Sequence, residues 1–170
     1  LSMFGLLSIA FRSYFLPILI LSALPFGFGG AVVGHIIFGK GLSMISYWGI
    51  GAACGVVVND NLVLVDSINR LRGSGKHILE CIVESGVTRF RPIIITSITT
   101  FVGLMPMMLE PSVQANFLKP AVISLSFGVV LSSSVTLILV PCLYLIGDDV
   151  KESIAQFKAS IKSQISNKST

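Results

Sequence analysis

The stretch GVVVNDNLVLVD, residues 55–66, places carboxylates inside a segment as apolar as a membrane span. Its apolar run is interrupted by the triplet NDN, whose acid is Asp60, and it ends at Asp66. A bilayer core of about 30 Å needs about 20 mainly apolar residues in a helix. Met44–Val65 has that length, and Asp60 is its only charge. We therefore predict a membrane-spanning helix over about residues 44–68 with a carboxyl group within the bilayer.

The composition of the whole chain also indicates a membrane protein. Its 170 residues are 53% hydrophobic and 12% charged, with a mean hydropathy of +0.88, whereas soluble domains carry about a quarter charged residues. A globule of this size cannot bury so much apolar surface. The fold class that we predict is all-α, a polytopic membrane helix bundle.

Several function classes are not supported by the residues. The net charge of +4 is not arranged as a basic stripe among aromatic residues, so we predict no nucleic-acid partner. Three scattered cysteines suggest neither a disulfide framework nor a metal site. The sequence has no phosphate-binding loop or catalytic triad, and we predict no enzyme activity and no cofactor.

The hydropathy pattern predicts further helices around the first one. Residues 1–147 form the predicted bundle, which begins with the end of a helix whose start precedes the sequence, and residues 148–170 form a cytoplasmic tail with an amphipathic helix. The other predicted spans are about 14–38, 92–109 and 120–146. An interfacial amphipathic helix is expected over about residues 76–85, ended by Gly86.

The charges of the loops predict the orientation. Ten of the twelve Lys and Arg residues fall on the side of the C-terminus, and the other side has only Lys40 and Lys119. Because cytoplasmic loops carry the excess of positive charge, this bias places the C-terminus in the cytoplasm.

Asp60 is the candidate functional residue. By the rise of a helix it lies about 9 Å deeper in the membrane than Asp66, where an ionised Asp costs about 2.5–3.5 kcal/mol. We therefore expect it to face other helices or a water-filled cavity. Burial favours the protonated carboxyl and a nearby cation favours the ionised one, so a site exposed alternately to both influences can bind and release a proton. Asn59 and Asn61 add neutral donors and acceptors beside it.

For several other polar and small residues, the sequence leaves both a structural and a functional role open. Asp66 and Arg70 are spaced as a surface ion pair, and hydroxyls such as Thr96 and Thr100 often bond to their own helix instead of a partner. His35 is interpreted as a packed or interfacial histidine rather than a proton carrier. Small-residue pairs indicate close helix packing or a dimerisation face. These pairs are Gly30 with Gly34 and Gly51 with Gly55.

Two motifs together resemble a known family. GVVVNDNLVLVDSINRLR followed by RFRPIIITSITTFVGLMPM closely resembles the membrane domain of resistance–nodulation–division (RND) efflux permeases, in the hydrophobe/amphiphile, acriflavine-resistance-like branch. FRSYFLPILILSALPFGFGGAVVGHIIFG fits the span before them. The resemblance covers nearly all of residues 1–147. It implies a C-terminal membrane fragment, from the end of helix 8 to helix 12 of a twelve-helix domain.

The resemblance also implies a proton relay between the two six-helix halves. In the family the fourth helix contributes two carboxylates, the tenth a lysine, and the eleventh a threonine and an arginine. Thr96 matches the threonine, and Arg89 matches the arginine of the R-x-R-P pattern. Asn59 and Asp60 stand where drug exporters have Lys-Asn, so the relay lysine is missing here. The relay set is then Asp60, Asn59, Thr96 and Arg89, supported by Asp66, Arg91, Ser97 and Thr100.

The resemblance implies a secondary active transporter, a proton antiporter that exports amphiphilic compounds and confers multidrug resistance. It implies a multi-pass protein of the bacterial inner membrane, in contact with the lipid bilayer and with the remainder of the permease chain, helices 1–8 and external domains. A homotrimer with a periplasmic adaptor and an outer-membrane channel is the expected assembly. The alternative is a membrane scaffold or protein-export accessory of the same superfamily, in which polar residues only hold helices together.

Overall fold

Six α-helices make up the part of the chain that the structure describes. The structure, a computed structural model, describes residues 2–11, 13–75 and 77–167. The helices are α1 (Ser2–Phe11), α2 (Phe15–Leu21), α3 (Leu24–Ile37), α4 (Met44–Arg72), α5 (Ile78–Leu109) and α6 (Val113–Asn167). Four helical stretches are long and apolar enough to cross a membrane: Phe15–Ile37, Met44–Arg72, Ile78–Leu109 and Val113–Asp148. The predicted all-α bundle is confirmed.

The last four helices, α3 to α6, alternate in direction, and α6 packs against α3, α4 and α5. We call the end with the α3–α4 loop (38–43) and the α5–α6 loop (110–112) the upper end, and the end with the α4–α5 loop (73–77) the lower end. Both loops that flank α4 contain a glycine with positive φ, Gly39 at 60° and Gly75 at 80°, a conformation that other residues rarely adopt.

The predicted span over 14–38 is two helices, α2 and α3, separated at Ser22 and Ala23. Pro25 is the second residue of α3, and without an N–H it cannot donate to the carbonyl one turn before it. Neighbouring side chains hydrogen-bond the backbone at the break. Asn61 Nδ2 of α4 donates to the carbonyl of Ile20 at 3.2 Å, and Ser132 Oγ of α6 donates to that of Ala23 at 3.3 Å.

α4 begins with a capping box, because the Ser43 side chain accepts from the Ser46 backbone and the Ser46 side chain accepts from the Ser43 backbone.

At the lower end α4 is joined to α6 by polar contacts. Tyr144 Oη donates to Asn69 Oδ1 at 2.5 Å, and Arg72 Nη2 lies 2.6 Å from Asp148 Oδ1.

α5 differs from the prediction, because Gly86 does not end a helix there. The structure has one helix, Ile78–Leu109, in place of a short interfacial helix at about 76–85 and a span at 92–109; residue 76 itself lies outside the described residues. A glycine costs a helix about 1 kcal/mol relative to alanine, and buried side chains hold α5 on both sides of it. These are Cys81, Ile82 and Ser85 before it, and Ile93 and Ser97 after it.

α6 likewise continues where the prediction separated a span at 120–146 from a tail at 148–170. It is one helix from Val113 to Asn167 and includes Pro120 and Pro141, while residues 168–170 lie outside the described part. Proline is tolerated within a membrane helix where neighbours or local adjustments satisfy the freed backbone groups. On both sides of Pro141 the helix is anchored by buried side chains, Val140 and Tyr144.

Candidate functional site

Asp60 lies on the face of α4 that packs into the bundle. Residues three, four and seven positions away share one helix face, and for Asp60 these include Ala53, Val57 and Leu64, each no more than 1% exposed. The carboxyl group is half-buried. Its Oδ2 is buried and has no hydrogen-bond partner among the described residues. The structure therefore encloses a carboxyl oxygen in an apolar helix bundle.

The two asparagines beside Asp60 differ in environment. Asn59 is exposed. Asn61 is 1% exposed, and its amide is engaged with the backbone of α2 at Ile20. Only one of the two amides thus lies inside the bundle, and its hydrogen bond holds α4 to α2.

The α5 hydroxyls bond within their own helix. Thr96 is exposed and donates to the carbonyl of Pro92 at 3.0 Å. Ser97, 5% exposed, donates to that of Ile93 at 3.0 Å. Thr100 is half-buried, one turn beyond Thr96. Thr96 and Ser97 follow the self-bonding alternative in this structure, because their donors are used by α5 itself.

Two polar side chains in the lower part of α5 have atoms buried within the bundle. Arg89 is half-buried, and its Nε is buried without a hydrogen-bond partner among the described residues. Ser85, one turn earlier and fully buried, has an Oγ that also lacks a partner in the described part of the chain. Arg91 is exposed. Of the two arginines in the R-x-R-P pattern, only Arg89 is directed into the protein.

The register of α4 and α5 relates these residues in height. Ser67 of α4 and Thr88 of α5 line the same groove. Asp60 is seven residues before Ser67 and Thr96 is eight after Thr88, so both lie about 11 Å above that groove. Arg89 is at the level of the groove. The structure thus brings Asp60 and Thr96 to one height, with Asp60 turned inward and Thr96 outward, and places Arg89 about 10 Å lower.

The expected ion pair between Asp66 and Arg70 is absent from the described residues, where Arg72 pairs with Asp148 instead. Asp66 is exposed. Arg70 lines the groove between α4 and α5 together with Glu84. The i,i+4 spacing permits a pair, but here Arg70 lines the groove between α4 and α5.

The two glycine pairs also lie in different surroundings. A β-carbon on Gly30 would overlap the carbonyl of Phe127, and one on Gly34 would lie 2.6 Å from the Phe127 ring, so α3 and α6 approach closely at both. Gly51 and Gly55 have open space around them. The close approach of α4 to α6 occurs instead at Gly49, where a β-carbon would overlap the backbone of Ala121.

The sequence offers the hydroxyls of the last predicted span as candidate partners for Asp60, but sequence reasoning did not single out the buried ones. Ser124, Ser126 and Ser133 are at most 1% exposed, and each Oγ lacks a hydrogen-bond partner in the described structure. A signal was present, because Ser126 and Ser133 are seven residues apart and so share a helix face. Within the described residues no group of three or more His, Cys, Asp or Glu side chains could hold a metal ion.

Comparison with known proteins defines the class of this chain. Residues 1–148 match the AcrB/AcrD/AcrF family, and the chain belongs to that family of RND efflux permeases. It is also similar to two crystal forms of a heavy metal efflux pump. Form I is 29% identical, with a TM-score of 0.69 over 76% of this chain. Form II is 28% identical, with a TM-score of 0.75 over 85% of this chain.

The matched region is a small part of those pumps. The chain spans 13% of the length of the pump in form I and 14% in form II. The class is one of membrane transporters rather than enzymes.

Proposed function

We propose that this chain is part of the membrane domain of a proton-driven efflux permease in the bacterial inner membrane, and that Asp60 takes up and releases the coupling proton. The observation that carries the proposal is the Oδ2 of Asp60, buried in the bundle without a hydrogen-bond partner among the described residues. An ionised carboxylate in that position is costly. A proton, a cation or a set of donors is needed to stabilise the group there.

The protonated and ionised forms of Asp60 need different surroundings. The neutral acid is compatible with the apolar residues around it, Val57 and Leu64. The carboxylate attracts a cation. Because Asn59 stands where the resembling exporters have lysine, we assign this role to Arg89 on α5. Arg89 lies about 10 Å lower in this structure, so it would approach the carboxylate only through a change in helix packing. Protonation and release would then alter how α4 packs against α5 and α6, and this change in packing would drive transport.

The exposed side of α5 supports the assignment to a larger permease. Ile95, Ile98 and Val102 are about half exposed along it, beside the exposed Thr96. In the proposed assembly these residues face lipid or the helices of the other half of the membrane domain, which would bring further relay carboxylates toward Thr96. A homotrimer with an adaptor and an outer-membrane channel completes the proposal.

For the substrate we propose amphiphilic compounds, because the two sequence motifs resemble the acriflavine-resistance-like branch of the family. A heavy-metal ion is the second candidate, since the similar solved structures are of a heavy metal efflux pump. Transport assays of the full-length permease with a fluorescent cationic amphiphile and with a divalent transition-metal ion distinguish the two.

Asp60→Asn in the full-length permease tests the proposed function. We expect loss of proton-driven export in proteoliposomes, with normal insertion and yield, because the amide keeps the shape of the carboxyl but cannot exchange a proton at neutral pH. Glu110→Gln is the control, since Glu110 is an exposed acid in the α5–α6 loop and lies outside the proposed relay, and this variant should transport normally. Unchanged transport by Asp60→Asn would refute the proton role. Failure of the variant to insert would favour the scaffold alternative.

A further inference from the structure

Two buried oxygen atoms, one on α4 and one on α6, lack partners in the described structure. They are Oδ2 of Asp60 and Oγ of Ser133, and Ser133 is 1% exposed. A buried polar atom without a hydrogen bond destabilises the fold, and native structures nearly always supply a partner, either protein or ordered water. A carboxyl group and a hydroxyl can satisfy one another in either protonation state.

The register of the two helices places both residues at about the same height. α4 and α6 run in the same direction and meet at Gly49 and Ala121 near the upper end. Asp60 is eleven residues after Gly49, and Ser133 is twelve residues after Ala121. At the rise of an α-helix, both lie about 17 Å below that contact.

The helix faces agree with the heights. A β-carbon on Gly128 of α6 would lie 3.1 Å from Cβ of Ala53, so Ala53 faces α6. Asp60 is two helical turns after Ala53 and lies on the same face. Ser133 is two turns before Val140 on the same buried side of α6. Val140 belongs to one hydrophobic cluster with Leu64 and Val65 of α4, so this side of α6 lies toward α4.

We propose that Ser133 is a positioning residue for the proton at Asp60, hydrogen-bonded to its carboxyl group directly or through one water. The protonated carboxyl would donate to Ser133 Oγ, and the carboxylate would accept from the Ser133 hydroxyl. The serine thereby stabilises both states and keeps the carboxyl group turned toward α6. This inference rests on the proposed proton role of Asp60.

The test compares Ser133→Ala with Ser134→Ala in the full-length permease. Ser134 is the matched control, because it is exposed and donates to the carbonyl of Val130 in its own helix at 2.8 Å. We expect Ser133→Ala to lower the rate of proton-driven export about tenfold, the factor that corresponds to a hydrogen bond to a charged group. Ser134→Ala should transport like the wild type. Ser133→Thr keeps the hydroxyl and should restore most of the rate.

Infrared spectroscopy supplies a readout that a purely structural role would not change. The carbonyl stretching band of protonated Asp60 is identified by its absence in Asp60→Asn. We expect the band to shift in Ser133→Ala and to stay in place in Ser134→Ala and Ser133→Thr. If Ser133→Ala does not fold, Ser133→Cys replaces it, with a weaker donor and an intermediate shift expected.

The outcomes separate this inference from the proposed function. Normal transport by Asp60→Asn would overturn both. Loss of transport in Asp60→Asn, with rate and band unchanged in the Ser133 variant, would overturn only the role of Ser133.

Discussion

His35 of α3 is a buried histidine with both ring nitrogens hydrogen-bonded, 3% exposed. Nδ1 lies 2.9 Å from the carbonyl of Ala31, which can only accept, so Nδ1 carries the hydrogen. In the tautomer with hydrogen on Nδ1, Nε2 accepts from the hydroxyl of Ser46, 2.9 Å away on α4. This pair connects the upper ends of α3 and α4, and it makes Ser46 both a capping residue and the partner of the imidazole.

Ser46→Ala is therefore expected to destabilise the permease more than Ser43→Ala. Each change removes one side of the capping box, but only Ser46→Ala leaves Nε2 of His35 without its partner, which costs about 1–3 kcal/mol. The measurement is thermal unfolding of the purified full-length protein. In a His35→Leu background the extra loss should disappear. Equal losses in the two serine variants would contradict the assignment.

The sequence predicts a carboxyl group within a membrane-spanning helix, but it does not predict which neighbouring side chain also faces the interior of the bundle. Asn59, Asp60 and Asn61 are successive, so their directions differ by about 100°, and the sequence alone does not tell which direction faces the bundle. Packing decides it, with Asn61 fixed by the backbone of Ile20. Ser133 was not singled out because its significance depends on the register of α4 against α6, which is a property of the folded bundle.

For the helices, the sequence predicts the positions of the apolar segments better than the residues at which each helix begins and ends. Gly86 and Pro92 suggested an interruption, and the structure continues α5 through both. Pro25 is accompanied by an actual break between α2 and α3. Local propensity is worth about 1–3 kcal/mol per glycine or proline, so tertiary contacts on either side determine whether a helix continues.

Glycines within α4 provide a test of helix packing. Gly49→Ala should destabilise the protein by about 1–3 kcal/mol, because the new methyl group would overlap the backbone of Ala121 and overpacking has a cost of that size. Gly51→Ala should stabilise it by about 0.5–1 kcal/mol, because Gly51 has open space around it and alanine favours the helix. Thermal unfolding of the two variants, measured side by side, checks this. A neutral Gly49→Ala would show that α4 and α6 lie farther apart than in this structure.

The whole bundle has two polar contacts between α4 and α6 at its lower end and close packing at glycine residues near its upper end. The Tyr144–Asn69 and Arg72–Asp148 contacts lie at the lower end. The lower end also has most of the arginines, which the positive-inside rule assigns to the cytoplasm. The alternation of loop charge could be derived from the sequence alone, whereas the contacts between distant helices could not.

Cysteine labelling tests this orientation. In a full-length permease whose native cysteines are replaced by serine, Gly41→Cys and Ser74→Cys place one thiol in an exposed loop at each end. A membrane-impermeant thiol reagent should label Gly41→Cys in right-side-out vesicles and Ser74→Cys in inside-out vesicles, because the lower end carries the positive charge. The reverse pattern would contradict the predicted orientation.

The break between α2 and α3 has a mechanical consequence. Asn61 adjoins Asp60 in α4 and holds the carbonyl of Ile20 at the edge of that break, while Ser132, adjoining Ser133 in α6, holds the carbonyl of Ala23 on its other side. Any rotation of α4 that turns Asp60 turns Asn61 through the same angle. Either the angle between α2 and α3 then changes or the Asn61 hydrogen bond breaks. While that hydrogen bond holds, a movement that accompanies the proposed proton exchange is transmitted to a third helix.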